Sequence, residues 1–122
     1  MQVFLTKWMA RYARREGISD ASLSEAIKRA EMGLVDADLG GGLIKQRVAR
    51  AGKGRSGGYR TIIAYRRAGR AVFLLGFAKN QRDNIGIDEL TELRTVGLNW
   101  LNAPPETIEE ALERNALQEV IP

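Results

Sequence analysis

The segment between Leu39 and Arg82 constrains the fold of this chain more than any other. It carries eleven Lys and Arg residues and no Asp or Glu. The same segment holds most of the β-branched and aromatic residues that favour strands. Strands with this much unneutralised positive charge predict a sheet with one face suited to polyanions. The flanking sequence differs, because residues 1–38 balance six basic and six acidic side chains, and residues 83–122 carry nine acids against two arginines.

Several strands are predicted, most of them within this basic segment. The pattern favours long strands at residues 43–50, 59–66 and 70–79, and shorter ones at 2–5 and 34–39. The strand at 70–79 is apolar on both faces in its middle, which is typical of a central strand.

Alternation assigns the charges of the strand at 43–50 to one face. Ile44 and Val48 fall on the same side of the strand, and Lys45 and Arg47 fall on the other. The next two strands are so close in sequence that a hairpin turn at Ala68-Gly69 is expected between them.

Four helices are predicted: at residues 7–16, from residue 20, from residue 88, and after the prolines at 104 and 105. Ser22 and Glu25 have capping-box spacing near the start of the second helix. This order, with short connections between the strands, predicts an α+β fold. The helices, two N-terminal and two C-terminal, should pack on one face of a mostly antiparallel four- to five-stranded sheet.

The chain end is expected to be a distinct acidic helix and tail, so that the main domain covers residues 1–102 and the tail residues 103–122. The tail has five glutamates against Arg114. Two alternatives stay open for it. The tail either docks near the basic segment and modulates it, or packs near Trp100 as part of the structure.

Composition excludes several kinds of site. The chain has 122 residues, enough for one domain with a core. Without Cys or His it has no disulfide, no thiolate zinc site and no histidine base. No metal ion and no cofactor are predicted. The N-terminus has no long apolar stretch, and the run at 71–78 is too short to span a bilayer, so a cytoplasmic protein without membrane contact is expected.

Three short motifs are better explained by structure than by chemistry. The glycines at 52, 54 and 57 match a dinucleotide-binding pattern, but Tyr59 begins a β-rich run where that motif needs a helix, so a hairpin loop is favoured. Asp36 and Asp38 would share a strand face and suit Mg²⁺, but no third ligand is evident, so strand-edge or helix-contacting charges are favoured. Ser56 has no histidine to activate it.

The basic segment itself favours nucleic-acid binding over a merely solvated surface. Surfaces built for solubility mix the two signs of charge, whereas here eight arginines and three lysines stand without acids. The planar guanidinium suits phosphate, and interleaved aromatic rings suit bases. The rings of Tyr59 and Phe77 are equally well explained as core residues. The predicted nucleic-acid contacts are Arg50, Lys53, Arg55, Tyr59 and Phe77.

Three stretches of the sequence, at residues 40–50, 52–61 and 77–80, resemble the RelE/HigB-like toxins of bacterial type II toxin–antitoxin systems. The branch concerned has a Gly-Lys-Ser-Gly-Gly-Tyr-Arg loop, and Arg55 stands here where lysine is usual. The similarity runs from about Phe4 to about Leu101. It implies two N-terminal helices over an antiparallel sheet, and a ribosome-dependent mRNA interferase neutralised by a cognate antitoxin, expected to be of the helix-turn-helix type. ParE-like relatives poison gyrase instead, so the alternative is a basic binding protein without ribonuclease activity.

RNA cleavage without a metal supplies a chemical test of these residues. Attack of a 2′-hydroxyl on the adjacent phosphate needs a base, cations for the phosphorane, and an acid for the 5′-oxygen. Without histidine, the base must be a lysine of lowered pKa, a tyrosine or a carboxylate. Lys45 or Lys79 is expected to transfer protons, and Arg47, Arg60 and Arg82 to clamp the phosphate.

Overall fold

The computed structural model describes residues 1–50, 54–81 and 85–122, with side chains at 54–56 left out. Within these residues the fold is α+β, with four helices and a six-stranded sheet. The strands are β1 (Gln2–Thr6), β2 (Ala37–Gly40), β3 (Leu43–Arg50), β4 (Gly54–Tyr65), β5 (Arg70–Ala78) and β6 (Leu117–Glu119). The helices are α1 (Lys7–Glu16), α2 (Asp20–Glu31), α3 (Ile87–Asn102) and α4 (Pro105–Glu113). The predicted fold class is confirmed, with one strand more than expected.

The sheet has the strand order β2-β3-β4-β5-β1-β6. Neighbouring strands are antiparallel except β1 and β5, which run parallel. The predicted meander of β3, β4 and β5 forms the middle of the sheet, and β1 joins it from the far end of the chain. None of the described helices has the length and apolar character needed to cross a membrane.

Helices cover both faces of the sheet, which corrects the expectation that they pack on one. Helices α1 and α2 bury one apolar cluster, and α3 and α4 bury a second cluster on the other face. The cause lies in the central strands, which are apolar on both sides. Ile62 and Ile63, consecutive in β4, are both 0% exposed and belong to different clusters. Such a strand needs cover on each face.

The caps of the N-terminal helices are hydroxyl groups. The Thr6 hydroxyl accepts a hydrogen bond from the Met9 amide at 3.2 Å, and Gly17 ends α1 in the left-handed conformation. The Ser19 hydroxyl accepts from the Ser22 amide at 3.1 Å and caps α2. The predicted capping box at Ser22 is therefore wrong, because the helix begins at Asp20.

The acidic tail is part of the packed structure. Ile108 and Ala111 of α4 are buried in the second cluster, together with Leu117 of β6. Strand β6 pairs antiparallel with β1, where Leu5 faces Gln118. Of the two alternatives for the tail, the structure supports packing rather than docking on the basic segment.

A tyrosine joins α2 to the β4–β5 hairpin. The Tyr65 hydroxyl donates to Glu31, whose carboxylate also accepts from the Ala68 amide at 3.2 Å. Burial, followed by this hydrogen bond, raises the pKa of Tyr65 to about 12. Burial likewise raises the pKa of Tyr12 to about 12, and that of Tyr59 also lies above its ordinary value.

We expect the protein to lose stability between about pH 10 and about pH 12. A raised pKa in the folded state means that the neutral phenol stabilises the fold. This stabilisation is complete below the unfolded pKa and is lost as the pH rises through the folded value. Absorbance at 295 nm should show tyrosinate forming near pH 12, together with loss of the circular dichroism signal. A rise in absorbance centred at pH 10 while the protein is still folded would contradict this. The Tyr65→Phe variant shows how much of the lost stability comes from Tyr65.

Candidate nucleic-acid interface

Lys45, Arg47 and Arg60 lie side by side on one face of the sheet, and we call these three residues the cationic row. Arg47 of β3 is directly opposite Arg60 of β4, and Arg60 is directly opposite Phe77 of β5. Directly opposed residues have Cβ atoms about 5 Å apart. Lys45 is two residues before Arg47 on the same strand and therefore shares its face.

The opposite face of β3 is held by a buried polar contact with α2. The Gln46 side chain is 0% exposed, and its amide donates to the Ala26 carbonyl at 2.9 Å. Its oxygen accepts from the Asp36 amide at 2.7 Å. Because Gln46 points to α2, Lys45 and Arg47 must point the other way.

The cationic row lies beside the area that α3 covers. A Cβ atom at Gly97 would lie 3.0 Å from both Leu43 Cδ2 and Ala64 Cβ, so α3 rests directly on the sheet there. Leu43 and Ala64 are register partners, and Leu43 is two residues before Lys45 on β3. From Leu43 towards Arg47, this face of β3 becomes more open to solvent: Lys45 is half-buried and Arg47 is exposed.

Among the described cations, two bind the end of α3 instead of lying in the cationic row. Arg66 donates to the Leu101 carbonyl at 3.0 Å, and Arg70 donates to the carbonyls of Trp100 and Ala103, each at 2.8 Å. These carbonyls end α3, where unsatisfied oxygens carry partial negative charge. The charge count of the sequence therefore overstates the charge available to a ligand.

Asp36 supports the backbone of Arg47. Its carboxylate accepts from the Arg47 amide at 2.7 Å and pairs with Arg29 at 3.4 Å. The Arg29 guanidinium also donates to the Arg47 carbonyl and to Glu25. Asp38 accepts from the Gly40 amide at 2.8 Å. In the described ranges, no group of three His, Cys, Asp or Glu residues is arranged to hold a metal ion. The prediction of structural roles for this pair agrees with these contacts.

Four other predicted residues are not members of the cationic row. Lys79 is exposed in the turn after β5. In this turn the Gln81 side-chain oxygen accepts a hydrogen bond from the Ala78 backbone amide, and the Gln81 backbone amide donates to the Ala78 carbonyl, each at 3.0 Å. Lys53 and Arg82 lie outside the described residues. Arg55 belongs to β4, but its side chain also lies outside the description.

The expectation that Tyr59 offers a stacking surface is corrected by its position. Tyr59 lies on the α1/α2 face and is 2% exposed, and its hydroxyl donates to Glu16 at 3.2 Å. The guanidinium carbon of Arg50 lies 5.6 Å from the centre of the Tyr59 ring, so Arg50 is also away from the cationic row. Phe77 is on the same face as the row but is largely buried in the second cluster.

Sequence reasoning did not single out Trp8. Its side chain is 50% exposed, although its spacing with Tyr12 is typical of the apolar stripe of a helix. Periodicity carries no signal for this exposure, because it arises from where β1 ends relative to β5.

Comparison with known families identifies a match over nearly the whole chain. The model for the RelE toxin of the RelE/RelB toxin–antitoxin system matches residues 1–120. The matched range includes α4 and β6. No curated protein matches the chain.

We expect Asp36→Ala to lower the free energy of unfolding by about 1–3 kcal/mol, because it leaves Arg29 and the Arg47 amide with one partner fewer. The matched control is Asp38→Ala, which removes a single exposed contact and should change stability much less. Denaturant unfolding measures both. If the two variants instead lost an Mg²⁺-dependent stabilisation to the same extent, the pair would be a metal site and the assignment would be wrong.

Proposed function

Because the chain belongs to the RelE toxin family, and is thus a toxin of a toxin–antitoxin system, we propose that it cleaves messenger RNA on the ribosome without a metal ion. The observation that carries this proposal is the pairing of Arg47 with Arg60 on the uncovered part of the sheet.

The cationic row is organised for an anion that bridges its members. Like charges directly opposite one another on a sheet destabilise it. A phosphate between Arg47 and Arg60 would remove this repulsion, and each planar guanidinium can donate two hydrogen bonds to it. The charge of a phosphorane exceeds that of the starting diester, so the same cations stabilise the transition state more than the substrate.

The proposed reaction is an internal transfer at phosphorus. The 2′-oxygen forms a bond to the phosphorus and gives its proton to a base, while the bond from phosphorus to the 5′-oxygen breaks and an acid protonates that oxygen. The products are a 2′,3′-cyclic phosphate and a 5′-hydroxyl. Water and metal are not consumed.

The placement of the side chains supports lysines as the groups that transfer protons. Tyr59 and Tyr65 belong to the α1/α2 cluster, and their raised pKa values oppose tyrosinate at neutral pH. Lys45 is within the cationic row and Lys79 follows the strand that carries Phe77. We assign Lys45 and Lys79 to proton transfer, Arg47, Arg60 and Arg82 to the phosphate, and Arg50, Lys53 and Arg55 to flanking phosphates.

Neutralisation follows from the same charges. A cognate antitoxin that places acidic side chains on the cationic row would compete directly with RNA. We propose that such an antitoxin, of the helix-turn-helix type, is the partner of this chain.

Arg47→Ala and Lys79→Ala should each abolish growth arrest on induction, and each should lower the rate of ribosome-dependent cleavage by roughly 100-fold or more, because each removes a group that acts in the transition state. Arg67→Ala is the control, since it removes the same charge from the exposed hairpin between β4 and β5. Equal circular dichroism spectra and melting temperatures would show that the fold is retained. Full toxicity of the Arg47/Lys79 double variant at equal expression would overturn these assignments.

Binding to a non-cleavable 2′-deoxy oligonucleotide should weaken steeply with salt. Each phosphate neutralised on a single strand contributes about 0.7 to the slope of log K against log salt. Because Arg47 and Arg60 are proposed to hold one phosphate between them, the Arg47→Ala/Arg60→Ala double variant should make the slope shallower by about 0.7, and Arg67→Ala should leave it unchanged. A slope that is already flat in the parent protein would argue for an apolar protein target instead.

A further inference from the structure

A groove of about 520 Å³ lies along β5, between α1 and α3. Its volume is within the range of roughly 300–1,000 Å³ typical of ligand sites. The groove is formed by the second half of β5 with side chains of both helices, and Phe77 lines it. Because Phe77 is also the register partner of Arg60, the groove begins where the cationic row ends.

The groove exists because β1 is shorter than β5. The pairing of the two strands stops at Leu5 and Phe73, and the chain then enters α1. The Thr6 hydroxyl fixes this departure, since it donates to the Leu74 carbonyl at 3.0 Å while capping α1. The beginning of α1, including Trp8, is thereby held at a defined position beside β5.

Aromatic rings stack along α1 at this groove. The ring of Trp8 lies 5.2 Å from that of Tyr12, at an interplanar angle of 16°. The guanidinium of Arg15 lies 5.3 Å from the centre of the Tyr12 ring. Tryptophan is highly buried on average, so a half-exposed Trp8 at the end of a preformed stack is unusual. Stacked rings next to an arginine form a platform that accepts the face of any nucleobase.

Gly76 brings this stack onto the strand. A Cβ atom at this position would lie 3.2 Å from Cε2 of Tyr12 and 3.3 Å from the Arg60 carbonyl oxygen. Any larger residue would push the Tyr12 ring away from β5. The stack is therefore held against the strand that also carries Phe77.

We propose that Trp8 is a stacking subsite for one base of single-stranded RNA, next to the phosphate held by the cationic row. This rests on the proposed function and extends it from the phosphate to a base. Of the polar groups lining the groove, the side-chain nitrogen of Gln81 can donate to a base edge, and Arg15 favours the polyanion. A stacked cation, and a groove lined by the register partner of Arg60, favour RNA over an antitoxin segment.

The fluorescence of Trp8 provides the test. The chain has two tryptophans, so Trp100→Phe leaves Trp8 as the only one. Titration with a 2′-deoxy oligonucleotide should quench this emission. An abasic oligonucleotide with the same number of phosphates should bind through its charge without quenching.

Trp8→Ala should weaken binding of the base-bearing oligonucleotide about tenfold, leave binding of the abasic one unchanged, and raise the KM for programmed ribosomes more than it lowers kcat. Trp8→Phe should restore most of the affinity, because it retains a stacking ring. If Trp100→Phe does not fold, the difference in emission between the parent protein and Trp8→Phe gives the same readout.

Different failures have different meanings. Equal quenching by both oligonucleotides, or unchanged RNA affinity in Trp8→Ala, would overturn the subsite while the Arg47 and Lys79 variants still test cleavage. Unchanged RNA affinity with lost affinity for the antitoxin would assign the groove to a peptide and also overturn it. Absence of ribosome-dependent cleavage by the parent protein would refute the proposed function itself.

Discussion

The register of β3 against β4 decides what this protein presents on its surface. Gln46 and Thr61 are opposite each other, both are 0% exposed, and the Thr61 hydroxyl donates to the Gln46 carbonyl at 2.8 Å. Buried polar groups are costly unless all their bonds are made, so this pair penalises any other alignment. A slip of one residue would turn Arg47 towards α2 and the core. The cationic row thus depends on a polar contact on the opposite face of the sheet.

The same kind of side chain serves two purposes in this fold. Arg66 and Arg70 bind carbonyls at the end of α3, and Arg94 of α3 donates to the Gly40 and Leu39 carbonyls at the end of β2. These contacts hold α3 across the sheet. Arg47 and Arg60 face each other where α3 leaves the sheet uncovered. The first group of arginines stabilises the position of the helix, whereas in the proposed function a bound phosphate relieves the repulsion between Arg47 and Arg60.

Sequence predicted the elements whose signals are local. The bounds of β3, the hairpin at Ala68 and the common face of Lys45 and Arg47 follow from alternation and turn chemistry. Strand β6 was missed, because three residues that pair with β1 from the far end of the chain carry no periodic signal. The roles of Arg66 and Arg70, the burial of Tyr59 and the exposure of Trp8 depend on contacts between distant elements. Alternation predicts that Lys45 and Arg47 share a face, but it does not predict where α3 stops covering that face.

The chemistry of the RNA ends tests the central claim most directly. After induction in growing cells, new 5′ ends within translated messages should be mapped and their terminal groups identified. The account predicts 5′-hydroxyl ends that require translation, because the 5′-oxygen leaves when the 2′-oxygen attacks. New ends carrying 5′-phosphates would contradict cleavage by the cationic row, as would growth arrest with no new ends and with gyrase trapped on DNA.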